Sequence, residues 1–315
     1  MEAVKPKALK QGDKICIVSP ASPTLMEICY ERGKSAIEKM GFEIVAGKHV
    51  HNKHLFFAGD AKKRADDINK AFQDKSVDAV ICSRGGTGTS HILPYIDFSV
   101  IRKNPKIFLG YSDITALQIA ILNKTGLITF YGPMISTDFG KGIAGYTVDR
   151  LLAVLTESKN VLELKNPAGK TVLTLCNGKG RGALAGGCLS IAAATLGTKY
   201  ELDTRGKILF FEDIDEKPHR IDRYLSQLIL AGKLQEAKGI IFGTFTQCEY
   251  LKRESYKKYN VTLMDVIKDR VVPLGVPCIF GLQFGHVGKK LTIPMGAYAE
   301  LDATHGRVFV EPAVR

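Results

Sequence analysis

The sequence predicts an α/β protein: a mostly parallel sheet flanked by helices in the first half, then a smaller β-rich half. Continuous apolar strands alternate with helical patterns early in the chain, which is typical of a parallel sheet covered on both faces. Strand patterns dominate later. The length of 315 residues is sufficient for two ordinary domains. We therefore predict domains at 1–156 and 171–315, joined by a linker at 157–170.

The first half contains short apolar runs separated by helical patterns. Strands are expected at 14–19, 42–46, 77–82 and 107–109, and helices at 26–40, 60–72 and from the turn after 107–109 through residue 122. Asp60 is a suitable N-cap for the second helix, and Gly41 ends the first. Ligands of such sheets bind beyond the carboxyl ends of the strands. We therefore expect a site at the turns that follow these strands.

The linker is predicted from its polar composition and from Pro167 and Gly169, which interrupt any long periodic pattern. Beyond it, strands are expected at 171–176, 207–211, 239–245, 277–284, 290–293 and 307–311. One clear helix at 220–231 has an apolar face and is closed by Gly232. These patterns predict the β-rich second domain.

Composition excludes several classes of protein. The seven cysteines are scattered without a C-x-x-C pair, so we expect reduced thiols rather than disulfides or a zinc site. The net charge of +12 is dispersed, which disfavours nucleic-acid binding and leaves an anionic substrate as the second explanation after solvated lysines. The sequence has neither an apolar run long enough to span a membrane nor a signal-peptide core at its start. A cytoplasmic location is expected.

Ser112 occupies a turn between an apolar strand and a helix, in the segment KIFLGYSDITAL. A serine at such a turn is exposed beyond the sheet and lies near backbone N–H groups, as a nucleophile requires. The alternative is an ordinary helix N-cap. The Gly-x-Ser-x-Gly elbow is incomplete, because Ile114 stands where its last glycine would be. The turn alone leaves both interpretations open.

A glycine-rich turn at 84–88, RGGTG, follows the apolar strand 77–82. Its backbone N–H groups can approach a ligand closely, which would suit a phosphate cradle or an oxyanion hole completed by the N–H after Ser112. Neither the dinucleotide nor the Walker spacing is met. A simple tight turn is the third possibility.

Glu212 and Asp213 end the apolar strand 207–211, and alternation along a strand lets only one of them enter a given site. A buried carboxylate needs a partner, which could be Arg220 or Arg223, or a catalytic histidine. His286 follows another predicted strand and is flanked by glycines that give its imidazole room. Either a cleft histidine or a hydrogen-bonded loop histidine fits this context.

Ser112, Glu212 and His286 each follow an apolar strand, in the chain order Ser, acid, His of the α/β-hydrolases. A serine hydroxyl needs a base to remove its proton, and the base needs a carboxylate to hold its tautomer. The three residue types therefore suffice for nucleophilic catalysis if their side chains meet.

Several motifs together resemble the LD-carboxypeptidase family, which includes murein tetrapeptide carboxypeptidases and microcin-immunity peptidases. The resemblance covers nearly the whole chain and rests on the order and spacing of these segments: GD…P at 12–20, FAGD at 57–60, RGGxG at 84–88, GYSDITAL at 110–117, GGxLS at 186–190, FED at 211–213, RIDR at 220–223 and FGH at 284–286. Two positions depart from the family pattern: Thr87 replaces a common tyrosine, and Cys188 replaces a common asparagine.

The resemblance implies a serine peptidase with Ser112 as nucleophile, His286 as general base and acid, and Glu212 as the orienting carboxylate. The N–H groups of Gly86 and Asp113 would form the oxyanion hole. It also implies a barrel-like second domain, with the triad assembled across the cleft between the two domains. It further implies a cytoplasmic homodimer that works without metal or cofactor. The partner expected for this chain is a small peptide, with neither nucleic acid nor membrane as partner.

The implied reaction is release of the terminal D-alanine from the murein tetrapeptide L-Ala–γ-D-Glu–meso-diaminopimelate–D-Ala in cell-wall recycling. The departures at Thr87 and Cys188 keep a microcin-type peptide open as substrate. Two other classes remain as alternatives: a nucleotide- or phosphate-using enzyme built on the turn at 84–88, and a non-catalytic module that binds peptides.

Overall fold

The chain folds into two β-sheets with associated helices, and the computed structural model describes residues 2–251 and 255–315. The strands are β1 (Lys14–Val18), β2 (Glu43–Ala46), β3 (Ala79–Cys82), β4 (Ile107–Gly110), β5 (Thr129–Tyr131), β6 (Leu162–Glu163), β7 (Leu173–Cys176), β8 (Lys179–Cys188), β9 (Ile208–Ile214), β10 (Gly239–Thr246), β11 (Cys278–Phe280), β12 (Ile293–Met295), β13 (Tyr298–Asp302) and β14 (Arg307–Val310). The helices are α1 (Glu27–Lys39), α2 (Ala61–Gln73), α3 (Thr89–Ile92), α4 (Phe98–Lys103), α5 (Thr115–Thr125), α6 (Gly145–Thr156), α7 (Leu189–Ala194), α8 (Pro218–Leu230) and α9 (Leu263–Val271).

The first sheet has six strands in the order β12-β5-β4-β3-β1-β2. Strands β1 to β5 are parallel, and β12 is antiparallel to β5. The strand order reverses at β1, which lies between β2 and β3, and such switch points are where open α/β sheets bind ligands. The carboxyl ends of β3 and β4 therefore open onto the expected edge.

Local sequence explains these elements. Strands β3 and β4 are buried along their whole length, as continuous apolar runs in a doubly covered sheet should be. Helix α2 begins after Asp60, whose side chain accepts a hydrogen bond from the Lys63 N–H. The predicted cap of this helix is thus confirmed.

The second sheet has eight strands in the order β6-β14-β13-β8-β9-β10-β11-β7. Strands β8 to β11 are parallel, and the outer strands pair antiparallel. The predicted fold class, a parallel α/β sheet plus a β-rich half, is confirmed. Helices α7 and α9 were not predicted, although α9 begins at a capping box formed by Thr262 and Asp265 that the sequence displays.

Two predicted strands of the second half lie elsewhere. The run at 277–284 is a strand only over Cys278–Phe280, because Gly281 then adopts a φ of 97°. The strand predicted at 290–293 shares only Ile293 with β12 (Ile293–Met295), which crosses back to pair with β5 in the first sheet. The predicted linker contains β6, which pairs with β14. The domain boundaries therefore stay a prediction, since strands from beyond residue 156 serve both sheets.

Helix α5 connects the two halves. It starts just after Ser112 and packs against α7 and β8 of the second half. Most of its residues are buried, so it lacks the polar face of a surface helix. The elbow at its start is therefore held between both sheets. Among the described residues, no helix combines the length and the apolar character that crossing a membrane requires.

Candidate active site

Ser112 stands on a strained turn between β4 and α5. Its φ is +67°, in the left-handed region that non-glycine residues rarely adopt. Such strain is typical of a nucleophile elbow, where the turn forces the hydroxyl out of the sheet. The N-cap of α5 is Ile114, so Ser112 does not fill the capping role that the sequence left open.

The side chains of Ser112, His286 and Glu212 meet in one hydrogen-bonded relay. Ser112 Oγ lies 3.0 Å from His286 Nε2, and His286 Nδ1 lies 2.7 Å from Glu212 Oε2. Glu212 is fully buried and also accepts the backbone N–H of His286 at 3.1 Å. A carboxylate at Nδ1 selects the tautomer whose Nε2 can accept the serine proton. The three predicted catalytic residues are thus brought together.

Gly285 makes this relay sterically possible. Its φ is +86°, and a Cβ there would lie 2.2 Å from the carboxyl carbon and Oε2 of Glu212. No side chain fits between this backbone and the carboxylate, so only glycine lets His286 reach Glu212 with both its N–H groups. The close packing against Glu212 therefore explains why a glycine precedes His286 in the sequence.

Gly86 and Asp113 lie on the two turns that face each other at this edge. Gly86 has a φ of +118° and is exposed, and a Cβ there would lie 2.3 Å from Ser22 Oγ. The carboxylate of Asp113 accepts the N–H and hydroxyl of Thr89 at 2.8 and 2.6 Å, which ties the two turns together. Within residues 2–251 and 255–315, neither the Gly86 nor the Asp113 N–H has a hydrogen-bond partner.

The approach of the two turns also depends on Gly85. A Cβ at Gly85 would lie 3.2 Å from Ser112 Oγ, so the glycine backbone itself borders the serine hydroxyl. The phosphate-cradle interpretation fits less well, because the Thr87 N–H is already bonded to Ser22 Oγ at 3.1 Å and the Thr89 N–H to Asp113. A cradle needs several free N–H groups that converge on one anion.

Glu212 and Asp213 point to different surroundings, as alternation along β9 requires. Asp213 accepts the N–H of Ser190 at the start of α7 at 2.7 Å. Burial, followed by the neighbouring charge of Glu212, raises the pKa of Asp213 to about 6. Arg220, an alternative partner for the acid, contacts Glu216 instead. The histidine, not an arginine, is therefore the partner of Glu212.

A cleft of about 460 Å³ opens beside His286. Lys290 lines it, is 2% exposed, and forms an ion pair with Asp138. The Lys290 ammonium lies 4.2 Å from the centre of the Tyr111 ring, and that ring packs edge-on against His286 with centroids 5.0 Å apart. Lys141 stands at the mouth of the same cleft and is exposed.

Comparison with known proteins places the chain in a family. The model of the LD-carboxypeptidase N-terminal domain matches residues 15–132, and that of the LD-carboxypeptidase C-terminal domain matches residues 181–301. The chain belongs to the LD-carboxypeptidase family. Its activity class is that of a hydrolase of the serine peptidase type.

Individual relatives agree with this assignment. A probable murein peptide carboxypeptidase of Bacillus subtilis is 40% identical over 312 residues, covering 98% of this chain and 95% of that protein. The microcin C7 self-immunity protein MccF of Escherichia coli is 27% identical over 323 residues, covering 93% and 92%.

Solved structures share the whole fold. The muramoyltetrapeptide carboxypeptidase of Oxalobacter formigenes superposes with a TM-score of 0.82 at 29% identity, covering 94% of this chain and 97% of that one. An MccF-like protein of Bacillus anthracis superposes with a TM-score of 0.87 at 28% identity, covering 98% and 100%. The likeness extends over both sheets.

Cys188 and Thr87, the two positions that the resemblance singled out, now have a structural setting. Cys188 is 4% exposed, its Sγ lies 3.4 Å from Asp213 Oδ1, and burial raises its thiol pKa well above the usual value. The thiol is therefore a packed, protonated group rather than a second nucleophile. Thr87 is exposed on the turn that carries Gly86.

The sequence analysis missed Tyr131 and Lys290. Tyr131 is fully buried at the end of β5, in register with Gly110 of β4, and its hydroxyl lies 2.5 Å from Glu212 Oε1. No local pattern pointed to Tyr131, because the strand that it ends was not predicted and its partner Glu212 lies on the other sheet. No pattern around Lys290 distinguished it from the surface lysine that precedes it.

Proposed function

We propose that this carboxypeptidase releases the terminal D-alanine from the murein tetrapeptide L-Ala–γ-D-Glu–meso-diaminopimelate–D-Ala, in recycling of the cell wall. The observation that supports this proposal most is the relay from Ser112 to His286 to Glu212, with contacts of 3.0 and 2.7 Å at a strained elbow. This is the constellation that amide hydrolysis by a serine requires.

In the acylation step, Ser112 Oγ attacks the carbonyl carbon of the diaminopimelate–D-alanine amide while His286 Nε2 takes its proton. The carbonyl oxygen becomes an oxyanion, which the N–H groups of Gly86 and Asp113 would stabilise. His286 then gives its proton to the amide nitrogen, the C–N bond breaks, and D-alanine leaves. Glu212 balances the charge of the imidazolium that forms in between.

In the deacylation step, a water molecule gives its proton to His286 and attacks the ester carbon. The same oxyanion donors act again, and the imidazolium returns the proton to Ser112 Oγ as the ester breaks. The products are the free tripeptide and the regenerated enzyme.

The departing D-alanine is expected in the cleft beside His286, because the imidazole must reach the leaving nitrogen. Of the two lysines that line it, Lys290 is neutralised by Asp138. Lys141 has no ion-pair partner in the part of the chain that the structure describes. We propose that its ammonium attracts the free carboxylate of the peptide.

Mass spectrometry of the purified protein with tetrapeptide, tripeptide and pentapeptide substrates tests the proposal. Loss of one alanine from the tetrapeptide alone is expected. Ser112→Ala should fold normally and lose at least roughly a thousandfold in turnover, whereas Ser99→Ala, on α4, should remain active. Full activity of Ser112→Ala would refute the assignment.

The same assay separates the alternatives. Cleavage of an aminoacyl sulfamoyl adenosine with no action on the tetrapeptide would indicate a microcin-type substrate, of the kind present in a solved complex of MccF. Thermal stabilisation by ATP with magnesium, without hydrolysis of any peptide, would favour the phosphate-using class.

We also propose a cytoplasmic homodimer. All seven cysteines are free thiols, as in a reducing compartment. Leu25 and Leu55, each 77% exposed, lie on two segments joined by the Glu27–His51 ion pair and could pack against a second copy. Sedimentation of the wild type and of Leu25→Glu measures this association, and a monomeric wild type would contradict it.

A further inference from the structure

The hydroxyl of Tyr131 contacts both the nucleophile's backbone and the catalytic acid. It lies 2.5 Å from Glu212 Oε1 and accepts the backbone N–H of Ser112 at 3.1 Å. The ring is fully buried and packs edge-on against Phe210 with centroids 5.6 Å apart. Tyr131 thus ends β5 in the first sheet and reaches the acid on β9 of the second.

The contacts assign the donors without ambiguity. A backbone N–H can only donate, so the Tyr131 oxygen accepts from Ser112 and the Tyr131 O–H donates to Glu212 Oε1. Burial, followed by the charge of Glu212, raises the pKa of Tyr131 well above its usual value, which keeps the phenol protonated. Oε2 of Glu212 is occupied by the two N–H groups of His286.

We propose that Tyr131 is a positioning residue of the catalytic relay. Its hydroxyl closes the relay into a ring of hydrogen bonds that runs through Ser112 Oγ, His286, Glu212, the Tyr131 hydroxyl and the Ser112 N–H. The inference rests on the proposed function of the triad and extends it by a fourth member. Tyr131 touches neither the substrate nor a reacting atom, and it acts through Glu212 and the Ser112 backbone.

This closed ring of hydrogen bonds has two physical effects. The Tyr131 hydroxyl satisfies the one oxygen of Glu212 that His286 leaves free, so the buried carboxylate keeps a fixed orientation toward the imidazole. Its bond to the Ser112 N–H also anchors the strained φ of +67°. That N–H is consequently unavailable to an oxyanion, which leaves the role to the free N–H groups of Gly86 and Asp113.

A purely structural role, as a tie between the two halves, is the competing explanation. The chain provides a matched control for it, because the Tyr200 hydroxyl donates to the Leu93 carbonyl at 3.2 Å and also joins the two halves. Each of the variants Tyr131→Phe and Tyr200→Phe removes one hydroxyl that joins the two halves of the chain. The first hydroxyl is buried and the second is half-buried. Only the first change touches the relay.

The experiment compares kcat and KM for D-alanine release from the tetrapeptide, and the low-field proton resonance of the His286 Nδ1–H···Glu212 hydrogen bond. Tyr131→Phe should lower kcat by roughly tenfold to a hundredfold, the kinetic equivalent of one hydrogen bond to a charged group. KM should stay within about twofold. The resonance should shift, whereas Tyr200→Phe should leave kcat and the resonance unchanged.

A second variant keeps the proposal testable if Tyr131→Phe does not fold. Tyr131→3-fluorotyrosine keeps the hydroxyl, nearly keeps the volume, and makes the phenol a stronger donor, so it should move the resonance with the fold intact. An unchanged resonance and a kcat within twofold in the variant that folds would overturn the proposal. If the wild type released no D-alanine, the proposed function would fall, and the resonance would still decide whether Tyr131 acts on the Glu212–His286 pair.

Discussion

Replacing Gly285 by alanine should damage catalysis far more than folding. The added Cβ would meet the carboxyl group of Glu212 at 2.2 Å, where ordinary contacts begin at 3.4 Å. Either the loop or the carboxylate must therefore move by about 1 Å, and a misplacement of that size in a catalytic group costs on the order of 100-fold in rate. This corresponds to ~2.7 kcal/mol of transition-state stabilisation.

The cost in stability is smaller and has another origin. Gly285 has a φ of +86°, in the region where an L side chain costs about 1–2 kcal/mol. Gly285→Ala should therefore unfold at somewhat lower urea concentration while retaining the fold. The two effects are separable, because the first appears in kcat/KM and the second in the free energy of unfolding.

Gly275→Ala is the matched control. Gly275 also has a left-handed φ, +67°, and a Cβ there would have no heavy atom within 4 Å. We expect near wild-type kcat/KM for D-alanine release from Gly275→Ala, and about 1% of it from Gly285→Ala. Activity of Gly285→Ala within threefold of the wild type would show that the close approach of His286 to Glu212 is not needed for turnover.

Two further predictions follow from charges in and near the site. Burial raises the pKa of Asp213 from 3.8 to about 6, so its protonated form is favoured in the folded chain. Wild-type stability should fall relative to Asp213→Asn as the pH rises from about 4 to 6, by up to ~3 kcal/mol. Urea unfolding at pH 4 and pH 7 measures this, and a pH-independent difference would contradict the assignment. Lys141→Met should raise KM about tenfold for a tetrapeptide ending in a free carboxylate and leave KM for the C-terminal amide unchanged. Lys289→Met, an exposed neighbour of Lys290, is the control, and equal effects of Lys141→Met on acid and amide would exclude a charge contact.

The candidate site was predictable from sequence to the extent that it uses strand ends and glycines. Ser112 follows an apolar strand as predicted, whereas Glu212 lies inside β9 and His286 lies on the loop after β11. The family resemblance supplied their roles. The cap at Asp60 and the continuous apolar strands β3 and β4 were equally readable, because capping and burial patterns act over a few residues.

Tyr131 was not predictable in the same way. Its partner Glu212 lies 81 positions away, on a strand of the other sheet. The contact depends on the register between β4 and β5 and on how the two sheets pack, and neither is a property of the sequence near Tyr131. The sequence analysis did not identify β5 as a strand, so it had no basis for placing the ring beside the elbow.

The crossing of β12 into the first sheet has a similar cause. The apolar run at 290–293 indicates a strand, but its partner β5 lies more than 150 positions earlier in the chain. Pairing over that distance is decided by which sheet edge is free when both halves are packed. A division of the chain into two separate domains at residue 156 therefore could not account for the pairing of β12 with β5.

By itself, the sequence determined the α/β class, the strands β1 to β4, and the three residue types that amide hydrolysis needs, since these depend on short-range patterns of apolar, polar and glycine residues. Only the tertiary structure decided that Ser112 and His286, 174 positions apart, lie at 3.0 Å, and that a buried tyrosine closes the relay behind them. The physical reason is that a hydrogen bond requires sub-ångström placement of two side chains, which the packing of whole sheets provides and no local pattern encodes.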